Sequence, residues 1–308
     1  MGEWLLYAVA RVVVTLLQAL PLPVVARLGR MGGACAYWLD GRHRRVALRN
    51  LTLVFGGERP PEEIRALARE HFRRLGENYC CAVKTAAMSP EELRPHLQFV
   101  GTEVLRSAVR GQPPASRVIA LGHFGNFELY ARFGQYAPEF QCLTTYRALK
   151  QPRLNQLLIS LRERSGCRFF ERRTEAAALR AAMRPTGVLL GLLADQRAGA
   201  RGLAVPLFGR PCSTSPAPAL FALRYRCPLH VAVCYRIAPG RWTIELGPEI
   251  PTRQGGRPRP LTEILRDMHV QFEAAIRRDP ANWFWVHDRW KHPGRPESVR
   301  ARSPAASS

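Results

Sequence analysis

The chain has 308 residues, of which 46% are hydrophobic, so it is not a wholly disordered protein and is long enough to bury a substantial core. Its 46 lysines and arginines against 24 aspartates and glutamates give a formal net charge of +22. Such an excess predicts a polyanionic partner, which can be a nucleic acid, an anionic membrane surface, or an acidic protein or substrate.

The cysteines follow neither a metal-binding nor a disulfide pattern. There are eight of them, none forms a C-x-x-C pair, and most lie in apolar surroundings. We therefore expect reduced, mostly buried cysteines in a protein that faces the cytosol.

Residues 4–20 form the longest apolar stretch, which Pro21 and Pro23 end. About 17 residues of helix span roughly 25 Å, less than the ~30 Å hydrocarbon core of a bilayer. Its polar residues recur along one helical face: Glu3, Tyr7, Arg11, Thr15 and Gln18. The pattern predicts that residues 1–20 anchor the protein to a membrane, lying in the interface or spanning it. The alternative is a buried first helix of a soluble domain.

Near residue 117 the sequence pattern changes from helical tracts to short strand-like runs. Helical tracts are predicted at 41–55 and 62–88. Beyond residue 117, the strand-like runs RVIAL, CLTT, VLLGLLAD, HVAVCY and WTIEL alternate with helical patterns near 126–136, 152–165, 174–184 and 261–278. Alternation of this kind predicts the α/β class, with a mostly parallel mixed sheet flanked by helices.

One domain is expected after the anchor. It covers 21–292, with a helical N-terminal part to about residue 116 and an α/β catalytic part after it. The segment 293–308, rich in Pro, Arg, Ser and Ala, is predicted to be a disordered tail.

The segment VIALGHFGNFELYARF, residues 118–133, carries the strongest chemical signal. VIAL is typical of a buried strand, so His123 stands at its C-terminal end, where open α/β sheets collect ligands. Asn126 is expected to cap the following helix, and Glu128 to reach back to the imidazole from its first turns. A carboxylate on one ring nitrogen leaves the other nitrogen free to act as a base.

Spacing alone does not establish this role. The pattern His-x4-acid occurs twice, and the second pair is His292 with Glu297 in the proline-rich tail. Because chance predicts about 0.6 such pairs in a chain of this composition, a structural histidine remains an alternative. The strand context favours His123.

HFGNFE after a strand is similar to the HX4(D/E) motif of the glycerolipid and lysophospholipid acyltransferase superfamily. Further segments resemble, in order, the lipid A biosynthesis (lauroyl/myristoyl) acyltransferase family. They are PLPVVARLGRMGG with RRVALRNLTLVF, TYRALKQPRLNQLLISLRERSG, LLADQ, VPLFGRPCSTSPAPALFALRYRCPL and NWFWVHDRWKHP. Together these segments span nearly the whole chain.

The resemblance implies an O-acyltransferase of lipopolysaccharide biosynthesis at the cytoplasmic face of the inner membrane. An acyl chain would pass from an acyl carrier protein thioester to a hydroxyl of a lipid A precursor, with His123 as general base and Glu128 orienting it. The implied partners are acyl carrier protein, an anionic lipid acceptor and the membrane, without nucleic acid, metal or cofactor. The alternatives are an acyl-CoA donor, another glycolipid or lysophospholipid acceptor, or a non-enzymatic basic scaffold or nucleic-acid binder.

Further residues are expected to bind the substrate, one from the resemblance and the others from their positions in the sequence. Arg147 falls where the family places an arginine after an aromatic residue, and would contact a substrate phosphate or the developing oxyanion. The backbone N–H groups of Gly125 and Asn126 are expected near the acyl carbonyl, although Gly125 also fits a simple tight turn. Asp195 closes a strand and would pair with Arg197 or shape the acceptor pocket, with a structural turn as the alternative.

Two segments in the last third of the chain also carry expectations about the site and the core. VPLFG with the residues 213–215 lies where the family carries a loop against the acceptor. The aromatic cluster near the end of the chain is expected to serve core packing and interfacial anchoring: Trp283, Phe284, Trp285 and Trp290.

Overall fold

A computed structural model describes residues 2–105 and 114–291. The predicted tail, 293–308, and the second His-x4-acid pair, His292 with Glu297, lie outside the described residues.

Helices make up most of the N-terminal part. They are α1 (Gly2–Ala19), α2 (Leu22–Leu39), α3 (Gly41–Phe55), α4 (Pro61–Ala87) and the short α5 (Pro90–Leu93). Their starts follow local chemistry: Asp40 caps α3 by accepting the N–H of His43 at 3.0 Å, and Pro61 opens α4, where its missing N–H costs nothing.

Strands dominate the second part of the chain. They are β1 (Leu97–Val100), β2 (Arg117–Leu121), β3 (Gln141–Tyr146), β4 (Cys167–Glu171), β5 (Val188–Leu193), β6 (Leu203–Leu207), β7 (Arg210–Thr214), β8 (Leu229–Ala238), β9 (Arg241–Leu246), β10 (Arg253–Gln254) and β11 (Arg257–Pro258). The helices among them are a 3-10 helix, Phe127–Gln135, and α6 (Pro152–Ser160), α7 (Ala176–Ala182), α8 (Ala217–Tyr225) and α9 (Leu261–Arg278).

In the described part of the chain, seven strands form one sheet in the order β1-β9-β8-β2-β5-β3-β4. All neighbours in this sheet are parallel except β8 and β9, which pair antiparallel. The central strand β2 is buried along Val118–Leu121, as expected for a parallel strand covered on both faces. The predicted α/β class, with a mostly parallel mixed sheet flanked by helices, is confirmed.

The helical part packs tightly onto itself and onto the sheet. A Cβ atom on Gly33 would overlap the carbonyl oxygen of Phe72, so the backbones of α2 and α4 are in direct contact. The fully buried Glu77 of α4 accepts hydrogen bonds from Arg236 Nε at 2.8 Å and from the N–H of Gly240 at 3.1 Å, both at the end of β8. These bonds fix α4 against the sheet because a buried carboxylate is stable only when it is paired.

Helix α1 lies on the outside of this assembly. None of its residues is buried, so the alternative of a buried first helix is wrong. Its C-terminal end is held to α4, since Gln18 Nε2 donates to the carbonyl of Val83 at 3.3 Å and Lys84 Nζ donates to the carbonyl of Gln18 at 2.7 Å. Among the described helices, α1 is the one that is long and apolar enough to cross a membrane by length and composition.

The predicted strands and the last predicted helix are present in the structure. The predicted strands correspond to β2, β3, β5, β8 and β9, and the helix predicted at 261–278 matches α9. Strand β1 was missed and lies in the part expected to be helical, because it is a half-exposed edge strand of four residues without a long apolar run. All eight cysteines are free and most are buried, as predicted.

The segment containing VPLFG is a hairpin and not a plain loop. Strands β6 and β7 pair antiparallel, and Phe208 and Gly209 connect them with φ values of 51° and 69°. Two successive positive φ values are those of a type I′ turn, whose twist matches that of the paired strands.

Candidate active site

Three of the predicted site residues lie at the same edge of the sheet. His123 follows β2, Asp195 follows β5, and Arg147 is the first residue after β3. These strands are neighbours in the order β2-β5-β3 and run parallel, so their C-terminal ends lie side by side. Ligand sites of open α/β sheets form at this edge.

Asp195 holds the imidazole of His123. Its Oδ1 lies 2.6 Å from Nδ1 of the ring, and its Oδ2 accepts the backbone N–H of His123 at 2.7 Å. Oδ2 also accepts Nε1–H of Trp283 at 2.7 Å. Because an ionised carboxylate only accepts hydrogen bonds, Nδ1 carries a proton and Nε2 is left as the basic nitrogen.

The charge of Asp195 is preserved although only 2% of the residue is exposed. Burial raises the pKa of this carboxyl, but the adjacent His123 and the hydrogen bonds from His123 and Trp283 outweigh it and hold the pKa below its ordinary value. The site therefore has a fixed negative charge behind the ring at neutral pH.

This arrangement corrects two expectations. The carboxylate that contacts Nδ1 of His123 belongs to Asp195 and not to Glu128. Asp195 therefore pairs with His123 and not with Arg197 as predicted. The backbone N–H of Arg197 instead donates to Nε2 of His287 at 3.0 Å. The reason is the sheet order, which places the end of β5 beside the end of β2.

Glu128 forms an ion pair with Arg162. Arg162 Nη2 lies 2.6 Å from Oε1, and its Nε lies 3.0 Å from Oε2, so the contact is bidentate. The guanidinium also lies over the ring of Phe169, 5.0 Å from its centroid. A guanidinium in two such contacts is held in one orientation. No spacing in the sequence distinguishes Arg162 from the other arginines, so it was missed.

Gly125 is required by its backbone conformation. Its φ is +50°, and a Cβ atom there would lie 2.6 Å from the carbonyl oxygen of Cys234. Its N–H donates to the carbonyl oxygen of Asn282 at 3.1 Å and is therefore not free for the oxyanion role expected of it. The tight-turn alternative describes this residue.

Asn126 is not the side-chain cap of the following helix, contrary to the expectation. Its Nδ2 points to α4 and donates to Oγ1 of Thr85 at 3.4 Å. Its backbone N–H makes no hydrogen bond to the described residues and remains available at the start of the 3-10 helix Phe127–Gln135.

Arg147 is exposed at the end of β3. Strand β3 is two strands from β2, which corresponds to about 10 Å across the sheet. The residue is thus on the same edge as His123 and is free to meet a ligand that covers this edge.

The aromatic cluster packs in the core as expected, and two of its members also contact His123 or Asp195. Trp283, Trp285 and Trp290 are buried, with the rings of Trp283 and Trp285 4.7 Å apart. The ring of His123 lies between Phe127 and Phe284, at centroid distances of 4.9 and 5.8 Å. The hydrogen bond from Trp283 to Asp195 was not predicted, because no local pattern connects residues that are 88 positions apart.

Two cavities flank the 3-10 helix that carries Glu128. The first, of about 210 Å³, lies between this helix and α4, and His123 is part of its wall. The second, of about 100 Å³, lies between the same helix and the sheet. Both walls are mostly apolar, and both cavities contact the same four residues: Phe127, Glu128, Ala131 and Arg162. Long hydrocarbon chains suit such spaces.

A mostly parallel sheet with an oriented histidine at its C-terminal edge and apolar cavities beside it is typical of an α/β ligand-binding site that accepts apolar groups. The family model of the bacterial lipid A biosynthesis acyltransferases matches residues 1–292, and the chain belongs to this family. It is accordingly an acyltransferase of lipid A biosynthesis. No individually curated protein matches the chain significantly.

Proposed function

We propose that the protein transfers a fatty acyl chain from an acyl carrier protein thioester to a hydroxyl of a lipid A precursor, with His123 as general base. The observation that carries this proposal is the His123–Asp195 pair, in which the carboxylate engages Nδ1 and leaves Nε2 as the second ring nitrogen of a histidine that lines an apolar cavity. The acyl chain fits the cavity by its apolar lining, and the reacting carbonyl would lie at the histidine.

The reaction balances with these groups. Nε2 of His123 takes the proton of the acceptor hydroxyl, and the oxygen forms a bond to the thioester carbonyl carbon. The carbonyl becomes an oxyanion, which collapses as the carbon–sulfur bond breaks and the thiol leaves with the proton from the imidazolium. Asp195 stabilises the imidazolium between these steps. General-base assistance of this type is worth about 10²- to 10⁴-fold.

Three groups are candidates for stabilising negative charge. The backbone N–H of Asn126 is free at the start of the helix and adjacent to His123 in the site. Arg162 lies in the walls of both cavities and is oriented by Glu128, so Glu128 acts as a positioning residue through it. Arg147, exposed at the same edge of the sheet, is suited to a phosphate of the acceptor.

The surface supports a donor and an acceptor that are both anionic. The net charge is +22, and several arginines are exposed on the N-terminal helices: Arg11, Arg27, Arg42 and Arg45. Such a surface favours the cytoplasmic face of the inner membrane, where anionic lipids attract juxtamembrane cations. An acidic carrier protein is attracted by the same charge excess.

The test is transfer of a labelled acyl group from acyl carrier protein to a lipid A precursor in detergent micelles. A His123→Ala protein is expected to lose about three orders of magnitude in kcat/KM, with little change in stability. His292→Ala shares the His-x4-acid spacing and is the matched control, for which full activity is expected. Near-normal transfer by a folded His123→Ala protein would overturn the mechanism.

The identity of the donor is tested in the same assay. Acyl carrier protein is replaced by acyl-CoA with the same chain, and kcat/KM is compared at low and high salt. The proposal expects a higher value for the carrier protein, falling with added salt because the attraction between charged surfaces is screened. A preference for acyl-CoA would refute the proposed donor while leaving the acyltransferase activity intact.

A further inference from the structure

Helices α7 and α8 border a groove that lies outside the site described so far. It consists of a third cavity of about 280 Å³ and a fourth of about 460 Å³, and Arg180 lines both of them. The hydroxyl of Tyr225 in α8 donates to the carbonyl oxygen of Arg180 in α7 at 2.9 Å. The two helices are therefore held at a fixed separation, and the two cavities together form the α7–α8 groove.

The groove is positively charged. Four exposed arginines line it: Arg172, Arg180, Arg184 and Arg224. Within residues 2–105 and 114–291, none of the four forms an ion pair. Like charges along one groove add to a positive potential that attracts an anionic partner.

Two carboxylates also line the third cavity, but both are used in the turn that precedes α7. Oε2 of Glu171 accepts the backbone N–H groups of Arg173 and Thr174 at 2.6 and 2.9 Å. Oε2 of Glu175 accepts the backbone N–H of Glu171 at 2.6 Å. These acids hold the turn, and the groove keeps an excess of positive charge.

The floor of the third cavity is apolar. It is formed by side chains from two strands and both helices: Phe170, Leu179, Leu192 and Phe221. An apolar floor between two helices, with cations around it, matches the way in which an amphipathic helix binds in a groove. The apolar face of such a helix fills the floor while its acidic side chains meet the arginines. A single inorganic anion would leave the apolar floor open.

The groove opens at the edge of the sheet that carries His123. Thr145 and Leu193 line the third cavity and also the second cavity, which lies beside the 3-10 helix. Leu193 pairs with Leu121, two residues before His123. An arm that leaves the groove over these strand ends therefore reaches the histidine by a short path.

The groove and the 3-10 helix lie on opposite faces of the sheet. Leu121 of β2 packs in one cluster with Phe133 of the 3-10 helix. The preceding residue, Ala120, belongs to the cluster of Leu179 in α7 and Ala222 in α8. Successive residues of a strand point to opposite faces, so α7 and α8 cover the other side of the sheet.

Helix α1, predicted to contact the membrane, is on the side of the 3-10 helix. It contacts α4 and α6, and both of these helices line the first cavity beside the 3-10 helix. The α7–α8 groove therefore faces away from α1. A groove on this side suits a soluble acidic protein and not the anionic lipids of the membrane.

We propose that the α7–α8 groove is the docking surface for an acidic helix of acyl carrier protein, which delivers its thioester to His123 over the ends of β3 and β5. This inference rests on the proposed function and adds the place where the donor protein binds. The acceptor lipid then approaches from the side of α1, so the two substrates reach the histidine from opposite faces of the sheet.

Charge reversals in the groove test this assignment. Arg180→Glu affects both cavities, and Arg224→Glu affects the end of the groove that is remote from His123. Both residues are exposed, so the thermal midpoint is expected to stay unchanged. Arg69→Glu is the matched control: Arg69 is exposed on α4, lies outside the groove, and gives the same change in net charge.

The assay compares two donors at saturating acceptor. One is the carrier-protein thioester, and the other is the pantetheine thioester of the same acyl chain, which has the arm without the protein. Arg180→Glu and Arg224→Glu are each expected to raise KM for the carrier-protein thioester about tenfold with kcat unchanged, because a like charge then opposes the acidic helix. The pantetheine thioester should be used equally well by all proteins, and Arg69→Glu should match wild type with both donors.

Three results would overturn the assignment. An unchanged KM for the carrier-protein thioester in both groove variants would exclude the groove as its docking surface. Equal losses with both donors would show that the arginines do not recognise the carrier protein. An increased KM for the lipid acceptor, with the donor unaffected, would assign the groove to the acceptor.

A binding measurement separates this inference from the proposed function. Fluorescence anisotropy gives the Kd of labelled carrier protein without an acyl chain, for wild type and for Arg180→Glu. We expect about tenfold weaker binding by Arg180→Glu, restored by a carrier protein in which one acidic residue is replaced by lysine. Failure of every such replacement to restore binding would exclude a direct contact.

The two possible failures differ in this measurement. If wild type binds no carrier protein, the proposed donor is refuted and the docking surface with it. If wild type and Arg180→Glu bind carrier protein equally well, the proposed donor stands and only the docking surface is refuted.

Discussion

Replacing Asp195 with asparagine tests the part of the site that depends most on tertiary structure. Asp195 receives three hydrogen bonds, of which two end on Oδ2 and one on Oδ1. Asparagine has one acceptor oxygen, so it keeps the two bonds from the His123 N–H and Trp283 only by placing its NH2 group against Nδ1 of His123. That contact forces the proton of the ring onto Nε2 and abolishes the base.

The expected loss is therefore close to that of removing the base. We expect Asp195→Asn to lower kcat by about 10³- to 10⁴-fold, since loss of the tautomer and loss of imidazolium stabilisation act together. The shape of the side chain is retained, so circular dichroism and the thermal midpoint report whether the fold is intact. The assay is single-turnover transfer of labelled acyl chain with saturating acceptor, which isolates the chemical step.

Glu128→Gln is the comparison that decides between the two carboxylates. Glutamine can still accept one hydrogen bond from Arg162, and the pair is partly exposed, so a loss of about 10- to 100-fold and less than that of His123→Ala is expected. If Asp195→Asn stays within tenfold of wild type while Glu128→Gln falls a thousandfold, the reasoning from the observed hydrogen bonds is refuted.

Four further outcomes are expected. Arg147→Lys keeps the charge but loses bidentate geometry and should impair turnover; normal kcat/KM in a stable Arg147→Ala protein would exclude the substrate contact. Burial lowers the pKa of both His71 and His269 from 6.5 to about 4, so the unfolded chain protonates first. The free energy of unfolding, measured in urea, should reach its full value above pH 6.5 and be lower by about 2 kcal/mol per histidine at pH 5. A free energy of unfolding that does not change between these pH values would contradict this expectation. Gly125→Ala should destabilise the protein by about 2 kcal/mol or more in the same assay, because of its positive φ and the contact with a carbonyl oxygen, whereas an unchanged midpoint would contradict the strained geometry. Deletion of residues 1–20 should move the protein from the membrane fraction to the soluble one, and full retention at membranes would place the anchor elsewhere.

The sequence determined the elements that depend on local periodicity. The apolar run before His123 was sufficient to predict a buried strand, and α9 was predicted with its observed bounds, because strand and helix periods are properties of short segments. The position of His123 at a strand end followed from the same reasoning. Short edge strands such as β1 were missed because only one of their faces is buried and four residues carry little pattern.

The partners of these residues were decided by tertiary structure. Glu128 is five positions from His123 and was the natural expectation, yet the imidazole is held by Asp195, which is 72 positions away. His123 and Asp195 meet because β2 pairs in parallel with β5, which brings the C-terminal ends of these two strands together. No local sequence pattern encodes the order of strands in a sheet. The same holds for Arg162, whose pairing with Glu128 depends on how a distant segment folds back over the 3-10 helix. Local sequence thus placed His123 at the strand end, and long-range packing selected the groups that orient its ring.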